Sequence, residues 1–108
     1  MGEKFFFKLI GSAGNKRLRF RIQTSRGKIL EFMVQLELHI ENWWRAVVRY
    51  DNAHDFAHRD ILDFTGGEIA KTSLKLGTLE EVIEYAEQDL TDRADWYVEK
   101  FIKTRKMQ

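Results

Sequence analysis

The sequence has no cysteine and no proline. Because cysteine is missing, disulfide frameworks, thiolate metal sites and cysteine nucleophiles are excluded, and a cytoplasmic setting is expected. Because proline is missing, the usual marker of a linker is absent, and no repeat or low-complexity tract divides the chain. Apolar runs such as Phe5 to Phe7 are far too short to cross a bilayer. We therefore expect no membrane segment, and the start also lacks the apolar core of a signal peptide.

The net charge is only +1, so the chain as a whole has no attraction to nucleic acid. The charged residues, however, are unevenly distributed along the chain. Residues 1–28 carry eight basic side chains and one acidic one, whereas residues 78–102 carry eight acidic and two basic ones. These segments could offset each other within one molecule or between two. The length of 108 residues and the hydrophobic content of 44% predict one domain over residues 1–108.

Alternating apolar residues predict a meander of antiparallel strands. Residues 17–22 place arginine at every second position, and residues 30–40 repeat the alternation. A three-residue loop at Ser25 to Gly27 would pair Phe20 with Phe32. An earlier strand at residues 5–9 is expected to bring Phe7 opposite Phe20, which turns its odd-numbered apolar residues toward the core.

A fourth strand is expected after a three-residue loop at Glu41 to Trp43. This loop sets Leu38 opposite Ala46, and it turns Trp43 and Arg45 outward. A two-residue loop would instead set Leu38 opposite Arg45, so the longer loop is preferred.

A last hairpin is predicted around residues 65–67, with strands at residues 61–64 and 68–74. Thr78 and Glu81 have the spacing of a capping box, which predicts the start of a helix. Apolar residues then recur every three or four positions to about residue 103, and the pattern allows an interruption near Thr91-Asp92. The predicted fold is α+β, an antiparallel meander sheet of about five or six strands with one long C-terminal helix packed on one face.

The densest titratable chemistry lies at residues 49–60, which read RYDNAHDFAHRD. His54 and His58 are four residues apart, as in helical zinc sites, but the segment follows a strand and lacks the glutamate of an HExxH motif. Histidines that cap loop carbonyls are the favoured alternative, so neither a metal nor a cofactor is predicted. Asp51-Asn52 fits an Asx-type turn, and Asp51 and Asp60 fit ion pairs with the nearby arginines.

The same segment also fits metal-independent cleavage of RNA. His54 and His58 would exchange protons near neutral pH, while Arg49 and Arg59 would stabilise the charge that develops on the phosphate. This interpretation ranks first by a narrow margin.

Two family resemblances bear on the segment. Residues 47–60 resemble the VVRYD-x-AH-x-F-x-HRD core of a small, largely uncharacterised prokaryotic family. More distantly, RYDNA at residues 49–53 and GTLEEV at residues 77–82 are similar to segments of TumE-like toxins of toxin-antitoxin modules. The second resemblance implies a toxin-type ribonuclease with an antitoxin partner. The positions that match its motif are Arg49, Asp51, Asn52, His54 and His58.

Two non-catalytic interpretations remain. A basic sheet face could bind RNA, with Trp43 available for base stacking. Its arginines would be Arg17, Arg19, Arg21, Arg45 and Arg49. Alternatively, the basic face of one copy could meet the acidic helix of another in a homodimer, and an exposed Trp96 ring would indicate such a contact surface.

Overall fold

The computed structural model describes residues 2–53, 56–75 and 77–105. Six strands each pair with their neighbours in sequence and form one antiparallel meander sheet. The strands are β1 (Gly2–Leu9), β2 (Lys16–Ser25), β3 (Lys28–Ile40), β4 (Trp43–Asp51), β5 (His58–Leu62) and β6 (Glu68–Ser73). Two helices follow, α1 (Leu79–Asp92) and α2 (Ala94–Arg105). The α+β class and the strand number are confirmed, with two helices in place of one.

The hydrophobic core lies between the two helices and one face of the sheet, which we call the inner face. Alternate residues of β2 and β3, such as Leu18, Phe20 and Val34, are fully buried there. The helices contribute the buried side chains Val82, Ala86, Leu90, Tyr97 and Phe101. The opposite side of the sheet, the outer face, therefore keeps its side chains free of helix packing.

The β2–β3 hairpin turns at two residues and not at three. Arg26 and Gly27 both have positive φ, 53° and 75°, which is the conformation of a type I′ turn. A bulge at Leu30 then shifts the register, so that Phe20 pairs with Val34 and not with the predicted Phe32. Because the shift is by two residues, the inward residues of β2 are still those predicted.

The β3–β4 hairpin also turns at two residues, and the predicted three-residue loop is wrong. Glu41 and Asn42 have φ of 54° and 69°, and Leu38 consequently pairs with Arg45. A bulge at Val47 restores the predicted register, which pairs Val34 with Tyr50. The placement of Trp43 and Arg45 on the outer face is therefore wrong, because both precede the bulge.

The side chains of strand β1 point to the opposite faces of the sheet from those predicted. Phe6 pairs with Phe20 and stacks on its ring at 4.6 Å between centroids, so Phe6 is the inward residue. Phe5, Phe7 and Leu9 lie on the outer face and are exposed. All three residues of the Phe5 to Phe7 run are apolar, so the pattern does not show which of them face inward. A shift of one residue in the register turns every side chain of a strand to the opposite face.

The helical part begins and breaks near the predicted residues. Thr78 accepts a hydrogen bond from the Glu81 amide, while the Glu81 carboxylate accepts one from the Thr78 amide, which completes the capping box. The interruption lies at Arg93, whose amide donates to the carbonyl oxygen of Asp89. Neither helix of the described residues is long and apolar enough to cross a membrane.

We expect the substitution Thr78→Ala to destabilise the protein by about 1 kcal/mol, because it removes the acceptor for an amide at the start of α1. Urea unfolding followed by circular dichroism measures this. Thr91→Ala, at an exposed position inside the same helix, is the matched control and should change stability by much less. An equal loss in both variants would show that the cap contributes nothing.

Candidate functional site

Two rows of side chains cross the outer face, because cross-strand partners in an antiparallel sheet stand side by side. The first row is Phe7, Arg19, Gln35, Arg49, Asp60 and Lys71, one residue from each strand. The second row is Phe5, Arg21, Met33, Asp51, His58 and Ser73. The meander thus brings arginines of β2 and four residues of the RYDNAHDFAHRD segment onto one surface.

His58 lies on a strand and not in a loop, and it is only 3% exposed. Its Nε2 is 2.9 Å from Asp51 Oδ1 and 3.5 Å from Asp60 Oδ2, while its Nδ1 is 3.3 Å from the carbonyl oxygen of Phe56. Both ring nitrogens therefore face acceptor oxygens.

The same three side chains have the composition of a divalent-cation site. Asp51, His58 and Asp60 offer ligand atoms that all lie within 4.8 Å of one another. Lys71 Nζ, however, is 3.5 Å from Asp60 Oδ1, and Arg49 is the cross-strand partner of Asp60. Lys71 therefore offsets part of the negative charge of Asp60.

The β2 half of the outer face is organised around Glu37, which is 4% exposed. Arg17 Nε donates to Glu37 Oε1 at 2.7 Å, and Gln35 Nε2 donates to Glu37 Oε2 at 2.6 Å. Arg49 Nε donates in turn to Gln35 Oε1 at 2.7 Å. A continuous polar network therefore joins β2 to β4, and it holds two arginines in place.

Aromatic rings accompany these arginines. The Arg17 guanidinium lies 4.1 Å from the centroid of the Phe7 ring and 4.0 Å from that of Trp44. The Arg19 guanidinium lies 4.7 Å from the centroid of the Phe5 ring. These are the separations of cation–π contacts, and about half of each phenylalanine remains exposed, 48% for Phe5 and 45% for Phe7.

The structure separates the predicted ribonuclease residues. Arg49, Asp51 and His58 share the outer face, but Arg59 pairs with Tyr50 and points to the inner face. Its NH1 donates to the Tyr97 hydroxyl at 3.4 Å. His54 lies outside the described residues. The carboxylates of Asp51 and Asp60 pair with His58 and Lys71, and not with Arg49 or Arg59 as expected.

The other motif residues have structural partners. Asp51 Oδ1 accepts from the Ala53 amide at 3.1 Å, which confirms the predicted Asx-type turn. Asn52 accepts from the Phe32 amide and donates to the Leu30 carbonyl oxygen, both at 3.0 Å. Its side chain therefore bridges the backbone of β3 at the bulge.

Of the predicted RNA-binding set, the structure gathers Arg17, Arg19, Arg21 and Arg49 on the outer face. Arg45 turns to the inner side, where its guanidinium lies 4.1 Å from the centroid of the Phe64 ring. Trp43 stands beside Ile40 and is 68% exposed. Trp44 takes the position expected of Trp43, because the two-residue turn reverses the first half of β4.

The inner face also contains a buried cluster that was not predicted from the sequence. Asp89 Oδ2 accepts hydrogen bonds from the Tyr50 and Tyr97 hydroxyls, each at 2.6 Å. Burial and these bonds to Asp89 raise the pKa of Tyr97 to about 12 and raise that of Tyr50 further. The one indication in the sequence was Asp89 itself, an acidic residue beside Leu90 of the apolar stripe of α1.

The oppositely charged segments meet within one chain. Lys8 pairs with Glu87 of α1, and Lys16 Nζ is 2.8 Å from Asp95 Oδ1 of α2. Some of the opposite charges that suggested a homodimer therefore pair within one molecule.

A six-stranded antiparallel meander, backed on one face by two helices and charged on the other, defines a small α+β protein with an open sheet face. The chain belongs to the family described as Domain of unknown function (DUF7718), whose model matches residues 1–107. This agrees with the resemblance to an uncharacterised family, whereas the resemblance to TumE-like toxins is not confirmed. No curated protein and no solved structure matches the chain.

We expect the substitution His58→Phe to destabilise the fold by roughly 3 kcal/mol, because it leaves two partly buried carboxylates without their shared partner. Chemical denaturation measures the loss. His39→Phe is the matched control, since His39 is exposed, and it should be nearly neutral. Equal stability of the two variants would mean that the His58 pairs contribute nothing.

Tyr97 also predicts a dependence of stability on alkaline pH. Its pKa is about 12 in the folded chain and about 10 in an unfolded one, so its contribution is constant below about pH 10. As pH rises from about 10 to about 12, the unfolded chain loses the proton first, so the free energy of unfolding falls and the protein becomes less stable. Tyr97→Phe should lessen this fall when urea unfolding is compared at about pH 8 and pH 11. An identical fall in both proteins would contradict the linkage.

Proposed function

We propose that this DUF7718 protein binds single-stranded RNA on the outer face of its sheet. The observation that carries the proposal is the arrangement of β2 arginines against aromatic rings, Arg17 on Phe7 and Trp44, and Arg19 on Phe5. Unpaired bases stack on exposed aromatic rings or guanidinium planes, and guanidinium groups bind phosphate through paired donors.

The shape of the face supports an extended ligand. The side chains of each row stand on successive strands, which lie about 4.8 Å apart. Phe5 and Phe7 belong to different rows, so they offer two stacking positions beside Arg21 and Arg19. Because both helices pack on the inner face, a nucleic acid strand reaches these side chains without displacing a structural element.

The charges on the face predict moderate affinity. Arg17, Arg19, Arg21 and Arg49 stand against Glu3 and Glu37, which bind three of them, and exposed Glu31 lies nearby. Phosphate must therefore compete for part of the positive charge. Stacking on the rings would supply a larger share of the affinity than in a strongly basic protein.

Binding fits the described contacts better than cleavage does. A general acid or base must reach the substrate proton, but the His58 ring is 3% exposed and directed at Asp51 and Asp60. Arg59, the second phosphate ligand of the ribonuclease hypothesis, lies on the inner face. The toxin activity and the antitoxin partner consequently rest on the sequence resemblance alone.

Two double variants test the proposal. Arg19→Gln with Arg21→Gln removes phosphate contacts, and Phe5→Leu with Phe7→Leu removes the rings but keeps their apolar bulk. Arg17 is left intact because it pairs with buried Glu37. Each double variant should weaken binding of a fluorescein-labelled single-stranded RNA by about tenfold, measured by fluorescence anisotropy.

Lys100→Gln with Lys103→Gln is the matched control, because it removes two positive charges from α2 on the other side of the sheet. It should leave RNA affinity within about twofold of the unchanged protein. Affinity should also fall as salt is raised, and less steeply in the arginine variant. A flat salt response, or equal losses in the arginine variant and the control, would rule out the outer face as the binding site.

A further inference from the structure

A concave site lies on the inner side of the sheet, between α2 and strands β4 to β6. It encloses about 330 Å³. Its walls are mostly apolar, and we call it the α2 groove after the residues Val47, Ile61, Ile69, Trp96 and Phe101. Ile69 and Trp96 are 54% and 46% exposed, so the groove opens to solvent between them.

Arg59 of β5 lines this groove, and one of its donors has no partner. Its Nε is buried and lacks a hydrogen-bond acceptor, whereas its NH1 donates to the Tyr97 hydroxyl at 3.4 Å and the guanidinium also interacts with the Tyr50 hydroxyl. Buried donors in folded proteins normally have a partner. The Nε atom itself is closed to solvent, but Arg59 lines the groove, and an acceptor placed there would add to the long bond with Tyr97.

The charges that line the groove favour an anion. Arg93 and Lys100 join Arg59 among its lining residues. Asp89, the carboxylate beside them, already accepts bonds from two tyrosine hydroxyls, and its other oxygen lies 3.7 Å from Arg93 NH1. Positive charge therefore exceeds negative charge at a site whose apolar walls strengthen electrostatic attraction.

We propose that the α2 groove binds a small amphipathic carboxylate, with the carboxylate on Arg59 and the hydrocarbon body between Ile69 and Trp96. The volume lies at the lower end of the range of about 300–1,000 Å³ that is typical of small-molecule sites. The planar guanidinium fork matches the two oxygens of a carboxylate. A phosphate dianion fits less well, because it needs more buried donors than Arg59 offers.

The test uses two ligands of the same shape, 2-naphthoate and its neutral amide 2-naphthamide, titrated calorimetrically into the full chain. Naphthoate should bind roughly tenfold more tightly than the amide, because only the acid makes a charge-assisted bond. Arg59→Met should abolish this preference and keep the apolar contacts. Ile69→Glu should weaken naphthoate binding by a similar factor, since it puts negative charge at the opening.

Lys103→Gln is the control, because this exposed α2 residue pairs with Glu99 and does not line the groove. It should leave naphthoate affinity unchanged. Equal affinity for the acid and the amide would overturn the proposal, and so would tighter binding of 2-naphthyl phosphate. If Arg59→Met fails to fold by circular dichroism, Ile69→Glu decides, because that position is exposed, and undiminished naphthoate binding in that variant would also overturn the proposal.

Discussion

The register of β3 against its neighbours decides which side chains this protein buries and which it exposes. β3 is the longest strand, Lys28–Ile40, and it pairs along most of its length with both β2 and β4. In an antiparallel sheet every pairing assigns two residues to the same face. A bulge on each side of β3 sets these pairings, and each bulge lies a few residues from a two-residue type I′ turn. The apolar core and the charged outer face are two consequences of this one register.

The sequence predicts the parts of the fold in which one pattern dominates. Arginine at every second position fixes the faces of β2, and the capping box fixes the start of α1. The facing of β1 is not predictable in this way, because Phe5, Phe6 and Phe7 are apolar at both parities. The first half of β4 is reversed between the two-residue turn and the bulge at Val47, and no residue type at position 47 marks a bulge.

The RYDNAHDFAHRD segment has a structural explanation that its composition did not reveal. Residues 48–51 pair antiparallel with residues 58–61, so the motif is a strand pair joined by a short connection. Arg49 and Asp51 face outward, whereas Tyr50 faces inward to Asp89. Alternation along β4 therefore divides the motif between the outer face and the helix contact. The sequence located the residues, but it could not show that Arg49 and Arg59 lie on opposite sides of the sheet.

In the RNA complex proposed above, the buried acid Glu37 would order the arginines of an outer face that has little net charge. Glu37 reduces the positive charge of Arg17 and Arg19, but its bond to Arg17 also fixes that guanidinium against Phe7 and Trp44. A flexible arginine loses rotamer freedom when it binds a ligand, and this loss opposes binding. An arginine that is already ordered has less freedom to lose. In the proposed complex, Glu37 would therefore weaken the electrostatic attraction to phosphate but preorganise Arg17, so stacked bases would be the main feature recognised.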